Sequence, residues 1–268
     1  MHSEKQYIDL YRECREQICA HSAAPLNAVR DAAFEQFERQ GFPSRKVERY
    51  KYTSVDELFA PDYGVNVNRL EIPVDPYKAF RCDVPNLSTS LYFIVNDQFR
   101  AALQPKENLP EGVVVDSLAA YAQANPQFVA DHYAQLAHAD EDGITALNTM
   151  LAQDGLLVYV KRGVKVDRTI QVINILRSDV PLMVNRRVLI VMEEGAEAKL
   201  LFCDHAADDR QFLTTQVIEA YVGRNASLDL YCMEETHYKN TRVSNVYIEQ
   251  QADSRVNHNV ITLHNGTT

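Results

Sequence analysis

The strongest constraint on the fold is an internal repeat of short β-rich runs in the second half of the chain. From about residue 155, paired apolar runs are separated by polar turns centred on EEGAEA, GRNAS and QQADS. Aligning these turns on Ala196, Ala226 and Ala252 gives spacings of 30 and 26 residues. Two strands per unit are typical of a solenoid or a stacked sandwich, in which each unit buries its apolar face on the next. The runs are LLVYVKRG, TIQVINIL, RRVLIVMEEG, AKLLFCDHA, TTQVIEAYVGRN, SLDLYCMEE, RVSNVYIEQQ and RVNHNVITL.

The end of this repeat also carries information. The last run, VNHNVITLHNGTT, is followed by no capping helix and no polar terminal repeat. Because a terminal rung leaves unpaired backbone groups, we expect that the chain lacks its natural C-terminal part or that another chain covers this end. A homodimer that pairs end to end and a monomer with a disordered tail both fit the pattern.

The first part of the chain has helical periodicity instead. Residues 3–21 carry apolar side chains at spacings of three and four, which predicts an amphipathic helix. A second helix is predicted to begin near Pro25 and to end at Gly41, so that the two helices form a hairpin. The side chains expected to face inward from the second helix are Val29, Ala32, Ala33 and Phe37.

Between the hairpin and the repeats, the pattern is mixed. Residues 60–110 predict irregular structure with one or two strands, the clearest at 90–95, and further helices are predicted from Asp116 or Ser117 and after Asn125. We therefore divide the chain into an N-terminal region, residues 1–145, and β-repeats, residues 146–268. The expected fold class is mainly β with an α-helical N-terminal region.

Charge excludes several classes of partner. The chain has 268 residues and a formal net charge of −10. Nucleic acids and anionic membranes attract basic surfaces, so neither is an expected partner. No apolar run approaches the roughly 20 residues of a membrane-spanning helix. The N-terminus has acidic residues where a signal peptide has a basic flank, which favours a cytoplasmic location.

The cysteines agree with a reducing compartment. They are odd in number and widely spaced, so a disulfide framework is not expected. The five are Cys14, Cys19, Cys82, Cys203 and Cys232. The phosphate-binding, dinucleotide-binding, zinc-protease and serine-hydrolase motifs are absent from the sequence, which argues against an independent ATPase or dehydrogenase.

Metal binding is the chemistry with the clearest candidate residues. Cys203 and His205 alternate on one strand and are expected on one face, with Asp204 on the other. Cys232 occupies a similar place one repeat later, but a one-residue offset leaves open whether it shares a face with Cys203. The alternative is that both cysteines are small core residues.

Two histidines near the end of the chain form a second candidate group. Alternation predicts that His258 and His264 lie on one face of the final strand, either as metal ligands or as ordinary polar surface residues.

The segment SRKVERYKYTSVDELF, residues 44–59, mixes basic and aromatic residues and raises the question of a binding patch. Its charges nearly balance, with four basic against three acidic residues. We interpret it as a structured connector that buries Tyr50, Tyr52 and Phe59 while its charged groups stay in water. On this interpretation, Tyr50→Ala is expected to lower stability more than any activity.

Two stretches of the chain resemble the SufB/SufD family of the Suf iron–sulfur cluster assembly system, and its SufD branch more closely. They are GFPSRKVERYKYTSVDELF, with its Pro-x-Arg-Lys start and Lys-Tyr-Thr, and ALNTMLAQDGLLVYVKRGVKVDRTIQVINI, with its Asp-Gly turn and Lys-Arg-Gly-Val. One departure is Tyr50, where the family usually has Trp. A second is length, because family members continue into a segment that docks the SufC ATPase.

The resemblance implies a right-handed parallel β-helix preceded by helices and irregular structure. It implies a non-catalytic scaffold subunit of a SufB-SufC-SufD complex that supports cluster building and iron acquisition. The chain alone is expected to hold no cofactor, and the iron–sulfur cluster belongs to the assembled complex. The implied partners are a SufC-like ATPase and a SufB-like subunit. The family's interface histidine lies in its later part and is transferred to no residue here.

Two other functions are alternatives to the scaffold. An independent metal-binding β-solenoid would use Cys203, His205, Cys232 or His237. A β-helix carbohydrate-active enzyme would need clustered carboxylates and exposed aromatic residues on one strand face, whereas the acidic residues here occupy mostly turns and the sequence has no Trp.

Overall fold

A computed structural model describes residues 3–79, 89–101 and 109–268. Strand makes up 37% of the chain and helix 27%, so the fold is mainly β, as predicted. The helices are α1 Glu4–Ala20, α2 Ala24–Ala28, α3 Arg30–Gln40, α4 Val55–Phe59, α5 Pro76–Ala79, α6 Leu118–Ala124, α7 Pro126–His132 and α8 Gly143–Leu151, with a 3₁₀ turn at Glu48–Tyr50.

The strands form a solenoid of about four turns. They are β1 Gly64–Val65, β2 Thr89–Val95, β3 Gln98–Phe99, β4 Val113–Ser117, β5 Leu156–Val160, β6 Thr169–Leu176, β7 Leu182–Met192, β8 Glu197–Ala206, β9 Phe212–Val222, β10 Ser227–Glu235, β11 Asn240–Gln250 and β12 Arg255–His264. Each predicted β-rich run corresponds to one of the strands from β5 to β12.

From β5 to β12, successive strands alternate between two facing sheets. Sheet A has the order β11-β9-β7-β5-β4, with β1 also paired to β7, and sheet B has the order β12-β10-β8-β6-β2-β3. All pairings are parallel except β4 with β5 and β2 with β3. From β5 to β12, neighbours within a sheet are two strands apart in sequence, as a solenoid requires. β2 and β4 precede the repeats but lie in the same two sheets.

The repeat is closer to regular than the sequence alignment indicated. Ser227 lies beside Glu197 in β8 and beside Arg255 in β12, which gives spacings of 30 and 28 residues. The alignment on Ala252 was wrong by two positions, because Ser254 follows the turn residue that corresponds to Gly195 and Asn225. Gly195, Asn225 and Asp253 have φ angles of 70°, 56° and 59°. These angles lie in the left-handed region, which Gly, Asn and Asp tolerate best.

The stacked turns are joined by backbone hydrogen bonds. The amide of Gly163 donates to the Glu194 carbonyl at 2.9 Å, that of Gly195 to the Arg224 carbonyl at 2.8 Å, and that of Asn225 to the Ala252 carbonyl at 3.1 Å. Each turn is thereby fixed to the next along the solenoid. Inside, the apolar side chains of both sheets form one core, which includes Leu156, Ile190, Leu200, Ile218 and Leu230.

The N-terminal helices cover the outer face of sheet A. Side chains of α1, α3 and α8 pack with Met183 and Leu213, and those of α6 and α7 pack with Leu157 and Leu189. The predicted helices at 117–124 and after Asn125 are present, and the Ser117 hydroxyl accepts from the Ala120 amide at the start of α6. Cys82 lies outside the described residues.

The second predicted helix differs from the structure. It is divided at Val29 into α2 and α3, and Ala32, which we expected to face inward, is exposed. The buried residue is Arg30, whose guanidinium donates to the carbonyls of Met150 at 2.8 Å and Ala152 at 2.9 Å. These carbonyls are at the C-terminal end of α8, where a cation is favoured by the helix dipole.

Candidate functional site

The predicted metal ligands do not converge in the structure. Cys203 lies opposite Met233 and Cys232 lies opposite Phe202, so the two thiols are on opposite faces of sheet B. Cys232 faces the solenoid interior, and Cys203 packs outside it with Phe93. The one-residue offset in the sequence therefore separates the two cysteines. Each fills an apolar core, which is the alternative that the sequence left open.

His205 shares the outer face with Cys203 and lies opposite Glu235. Burial lowers the pKa of its imidazole, although the carboxylates of Glu235 and Asp204 act in the opposite direction. Across residues 3–79, 89–101 and 109–268, no group of three or more His, Cys, Asp or Glu side chains is arranged to hold a metal ion. A metal-binding role for Cys203, His205 and Cys232 stays a prediction.

The two late histidines lie at different faces, contrary to the prediction. His258 occupies the register position of the interior residue Leu230, whereas His264 occupies that of Glu235. The reason is a β-bulge in the pairing after Glu234, which inserts one residue into β12 and reverses the alternation.

His258 comes closest to the interior thiol. Its Nε2 is 4.0 Å from the Sγ of Cys232. Burial raises the pKa of Cys232 to about 11, and it lowers the pKa of His258. At neutral pH the pair is therefore a thiol beside a neutral imidazole, and a thiol is a poor nucleophile and metal ligand until it loses its proton. Both residues line a cavity of about 380 Å³, together with Glu234 and Arg242.

The most unusual feature of the solenoid interior is a set of four buried charged residues. Arg186 and Arg242 come from sheet A, and Asp204 and Glu234 come from sheet B. Arg186 Nη1 lies 2.6 Å from Asp204 Oδ1, Arg242 Nη1 lies 3.4 Å from Asp204 Oδ2, and Arg242 also pairs with Glu234. We name these four residues the interior ion cluster.

The interior ion cluster connects the two sheets through paired charges. Burial alone would raise the pKa of Asp204, but Arg186 and Arg242 hold it below its ordinary value. Buried charges are tolerated when they are paired and hydrogen-bonded, and Arg186 Nε also donates to the Asn96 carbonyl at 3.0 Å. The sequence did contain a signal for this cluster, since Asp204 and Glu234 interrupt apolar runs at a spacing of one repeat.

A second buried pair fastens the helices to the outer face of sheet A. Arg187 Nη2 lies 2.6 Å from Glu219 Oε2, and both side chains are 0% exposed. Glu219 accepts hydrogen bonds from the backbone amides of Ala134, Leu136 and Ala137. Arg187 and Arg186 are neighbours in β7, so alternation sends one side chain to the helical layer and the other to the interior.

A third polar contact holds the 44–59 connector. The Tyr50 hydroxyl donates to Asp142 Oδ2 at 2.8 Å, and Asp142 Oδ1 accepts from the amides of Ile144 and Thr145 at the start of α8. Asn245 of β11 donates to the same oxygen at 3.0 Å. The connector, α8 and the solenoid therefore meet at one buried carboxylate.

The connector interpretation is confirmed for two of its three aromatic residues. Tyr50 is 7% exposed and Phe59 is 0% exposed, but Tyr52 is 90% exposed. Tyr52 lies in the turn that directly follows the 3₁₀ segment, and it faces solvent.

Comparisons with known proteins agree with this architecture. Residues 1–172 match the family described as "SufBD protein N-terminal region". Residues 174–268 match the family described as "SUF system FeS cluster assembly, SufBD core domain". The boundary between these matches falls within the first turns of the solenoid. Among the described residues, no helix is long and apolar enough to cross a membrane.

One curated relative is Protein ABCI7, chloroplastic, from Arabidopsis thaliana. It is 23% identical over 243 residues, which cover 87% of this chain and 49% of the relative. The chain thus spans about half the length of the curated relative that it matches. Two consecutive family matches over nearly every residue, on a helical region followed by a β-solenoid, show that the chain belongs to the SufBD family of the SUF iron–sulfur cluster assembly system.

Proposed function

We propose that this chain acts as a SufD-like, non-catalytic scaffold subunit of a SufB-SufC-SufD complex. Membership of the SufBD family indicates a role in iron–sulfur cluster assembly. The observation that carries the finer proposal is the pairing of charges inside the solenoid. Arg186 and Arg242 neutralise Asp204 and Glu234, and the nearby Cys232 keeps its proton at neutral pH.

Such an interior suits a support rather than a reaction centre. Catalytic nucleophiles need a lowered pKa or an adjacent base, whereas burial shifts the pKa of Cys232 upward. Hydrogen bonds between successive turns and the interior ion cluster make the solenoid stiff. A stiff solenoid can transmit the motion of an attached ATPase to a partner subunit. In this proposal the cluster is held by the assembled complex, and the chain alone carries no cofactor.

The SufD assignment rests on sequence resemblance in residues 44–59 and 146–175. A cytoplasmic location is part of the same proposal. Its support is the sequence, because the five cysteines are odd in number and widely spaced, as expected in a reducing compartment.

The test is co-purification of the complete gene product. A tagged form, expressed with a SufB-like subunit and a SufC-like ATPase, is expected to retain both through size-exclusion chromatography. Retention of neither partner would contradict the scaffold function. The variant Asp204→Asn removes a charge from the interior ion cluster. Because the proposed stiffness of the solenoid depends on that cluster, we expect the variant to be less stable and to retain less of both partners.

A second assay separates the scaffold from an independent metal-binding protein. After anaerobic reconstitution with iron and sulfide, we expect no stoichiometric cluster on this chain alone. A cluster that forms on the isolated chain and is lost in both Cys203→Ser and Cys232→Ser would favour the metal-binding function instead.

A further inference from the structure

A strongly basic surface lies on this acidic protein, on residues Ser44–Tyr52, which we name the basic turn. It contains Arg45, Lys46, Arg49 and Lys51 against one acidic residue, Glu48, while the whole chain carries a net charge of −10. In this segment only Tyr50 is buried, and every other residue is exposed. Four positive charges and one negative charge therefore lie on one short, solvent-facing segment.

Much of this positive charge is not neutralised within the molecule. Arg49 lies 3.5 Å from the buried Asp142, and Lys51 lies 3.7 Å from the exposed Glu48. In the part of the chain that the structure describes, no ion pair involves Arg45 or Lys46. Two adjacent cations thus face solvent without an acidic partner.

The basic turn is held in one conformation. The amide of Val47 donates to the Ser44 carbonyl at 2.9 Å, that of Tyr50 to the Val47 carbonyl at 2.9 Å, and that of Thr53 to the Tyr50 carbonyl at 2.9 Å. The buried Tyr50 anchors these turns through its hydrogen bond to Asp142. A surface that is already ordered loses little entropy when it binds, which favours recognition.

Apolar contact area lies among the cations. Tyr52 is 90% exposed and Val47 is 40% exposed. The Nζ of Lys51 lies 5.6 Å from the centre of the Tyr52 ring. Tyr and Arg are enriched in the energetically dominant part of protein interfaces, and this turn carries the exposed Tyr52 with Arg45 and Arg49. A cleft of about 330 Å³ adjoins the turn and is lined by Phe42, Val47 and Arg49.

We propose that the basic turn is a docking surface for a short acidic segment of a partner protein. Arg45 and Lys46 would pair with its carboxylates, and Tyr52 and Val47 would contact its apolar side chains. The basic turn adjoins the solenoid, because Arg49 and Tyr50 line the same cavity as Arg242, and the proposal does not depend on the scaffold function.

A short peptide fits this surface better than a nucleic acid. Acidic residues lie on both sides of the basic turn, with Glu57 following it in α4 and Glu141 on the rim of the cleft. A long polyanion would extend over these carboxylates and over a protein of negative net charge, and would be repelled. A segment that covers only the turn avoids this repulsion.

The test uses a short fluorescein-labelled peptide rich in Asp and Glu with one Leu, and a matched peptide with Asn and Gln instead. Fluorescence anisotropy at low salt is expected to show binding of the acidic peptide only. The double variant Arg45→Glu/Lys46→Glu is expected to weaken binding about tenfold or more, because it replaces two attractive charges by repulsive ones. Tyr52→Ala is expected to weaken it less, and Glu48→Gln to strengthen it.

The matched control is Lys161→Glu/Arg224→Glu, which makes the same change in net charge on exposed solenoid turns. It is expected to leave binding nearly unchanged. Three results would overturn the proposal: no binding of the acidic peptide, equal weakening by the control, or tighter binding of a single-stranded oligonucleotide or of phosphatidylserine vesicles at the same salt concentration. If the double variant fails to fold, judged by circular dichroism, the strengthening by Glu48→Gln still decides the outcome. Retention of Suf partners by these variants is measured separately and reports only on the scaffold function.

Discussion

The solenoid and the N-terminal region are stabilised in different ways. In the solenoid, the same contacts recur from turn to turn, so that each strand from β6 to β12 pairs with an equivalent strand 28 or 30 residues away. In the N-terminal region, unique bonds join residues that are far apart in sequence. The Tyr50 hydroxyl reaches Asp142, and Arg30 reaches the end of α8.

This difference has energetic consequences. In a repeat structure, the free energy of unfolding is close to a sum of similar contributions from each repeat and from each interface between neighbouring repeats. The loss of one contact therefore reduces only one of several contributions. A unique bond has no equivalent nearby to replace it. We therefore expect mutations to be more costly where the N-terminal region is attached to the solenoid than in a typical solenoid rung.

The largest effect is expected at the attachment itself, in Glu219→Ala. This change leaves the buried Arg187 without its carboxylate and removes the acceptor of three backbone amides in the α7–α8 connection. Breaking a buried ion pair costs about 3–5 kcal/mol. Urea unfolding is expected to show a loss of this order.

Hydrogen exchange locates the effect of Glu219→Ala. Protection is expected to fall in α7 and α8 before it falls in β9 and β11, which would show the helical layer separating from an intact solenoid. Glu197→Ala, which removes an exposed partner of Lys165, is the control and should change little. Equal losses in the two variants would refute the distinction between the regions.

A smaller effect is expected for Tyr50→Phe, compared with Tyr52→Phe. The first removes a hydroxyl that donates to the buried Asp142, and hydrogen bonds to charged groups contribute about 1.5–3 kcal/mol. The second removes a hydroxyl from a side chain that is 90% exposed, so no measurable loss is expected. Thermal denaturation followed by circular dichroism measures both. A large loss for Tyr52→Phe would show that the basic turn is packed rather than exposed.

The two regions also differ in how much of them the sequence predicted. The strands β5 to β12 were all identified, because alternation and turn residues are local and the repeat supplies several copies of each signal. The one error in the repeat alignment was at Ala252, because we aligned the turns on their alanines. The position that the turns share is instead the residue with a left-handed backbone conformation, which is Gly195, Asn225 or Asp253.

The candidate site could be predicted only in part. The opposite faces of Cys203 and Cys232 followed from a one-residue offset, but the bulge that separates His258 from His264 depends on the pairing of two strands. The burial of Arg30 was missed because the carbonyls that accept hydrogen bonds from it, those of Met150 and Ala152, are more than a hundred residues away. Tyr50 and Tyr52 carry the same side chain, and only the tertiary structure determines that one is buried.

The solenoid interior offers a milder test of the comparison. Ile218 is fully buried in the core between the sheets, and Ile218→Val removes one methyl group. Such a change costs about 0.5–1.5 kcal/mol. Urea unfolding is expected to show a loss of unfolding free energy in this range. The slope of the unfolding free energy against urea concentration should stay the same. A loss as large as that of Glu219→Ala would mean that the solenoid has no more tolerance than the attachment.

The smallest expected effect is a pH dependence of stability that arises from His205, on the outer face of sheet B. Burial lowers the pKa of His205, so the unfolded chain binds a proton at this residue more readily than the folded chain does. Stability is therefore expected to fall as the pH drops through about 6.5, the ordinary value of His, and the dependence ends once the pH is below the folded pKa. Above that range the residue is neutral in both states and contributes no pH dependence.

His205→Gln removes the group whose proton uptake destabilises the folded chain. The stability of the variant relative to the wild type is therefore expected to rise as the pH is lowered from 7.5 to 5. Urea unfolding at several pH values measures the difference, and His21→Gln, a change at an exposed residue beyond the end of α1, is the control. A parallel pH profile for wild type and His205→Gln would contradict the burial of this imidazole. It would also mean that the outer face of sheet B is as open to solvent as the basic turn, which would reduce the contrast between the solenoid and the N-terminal region.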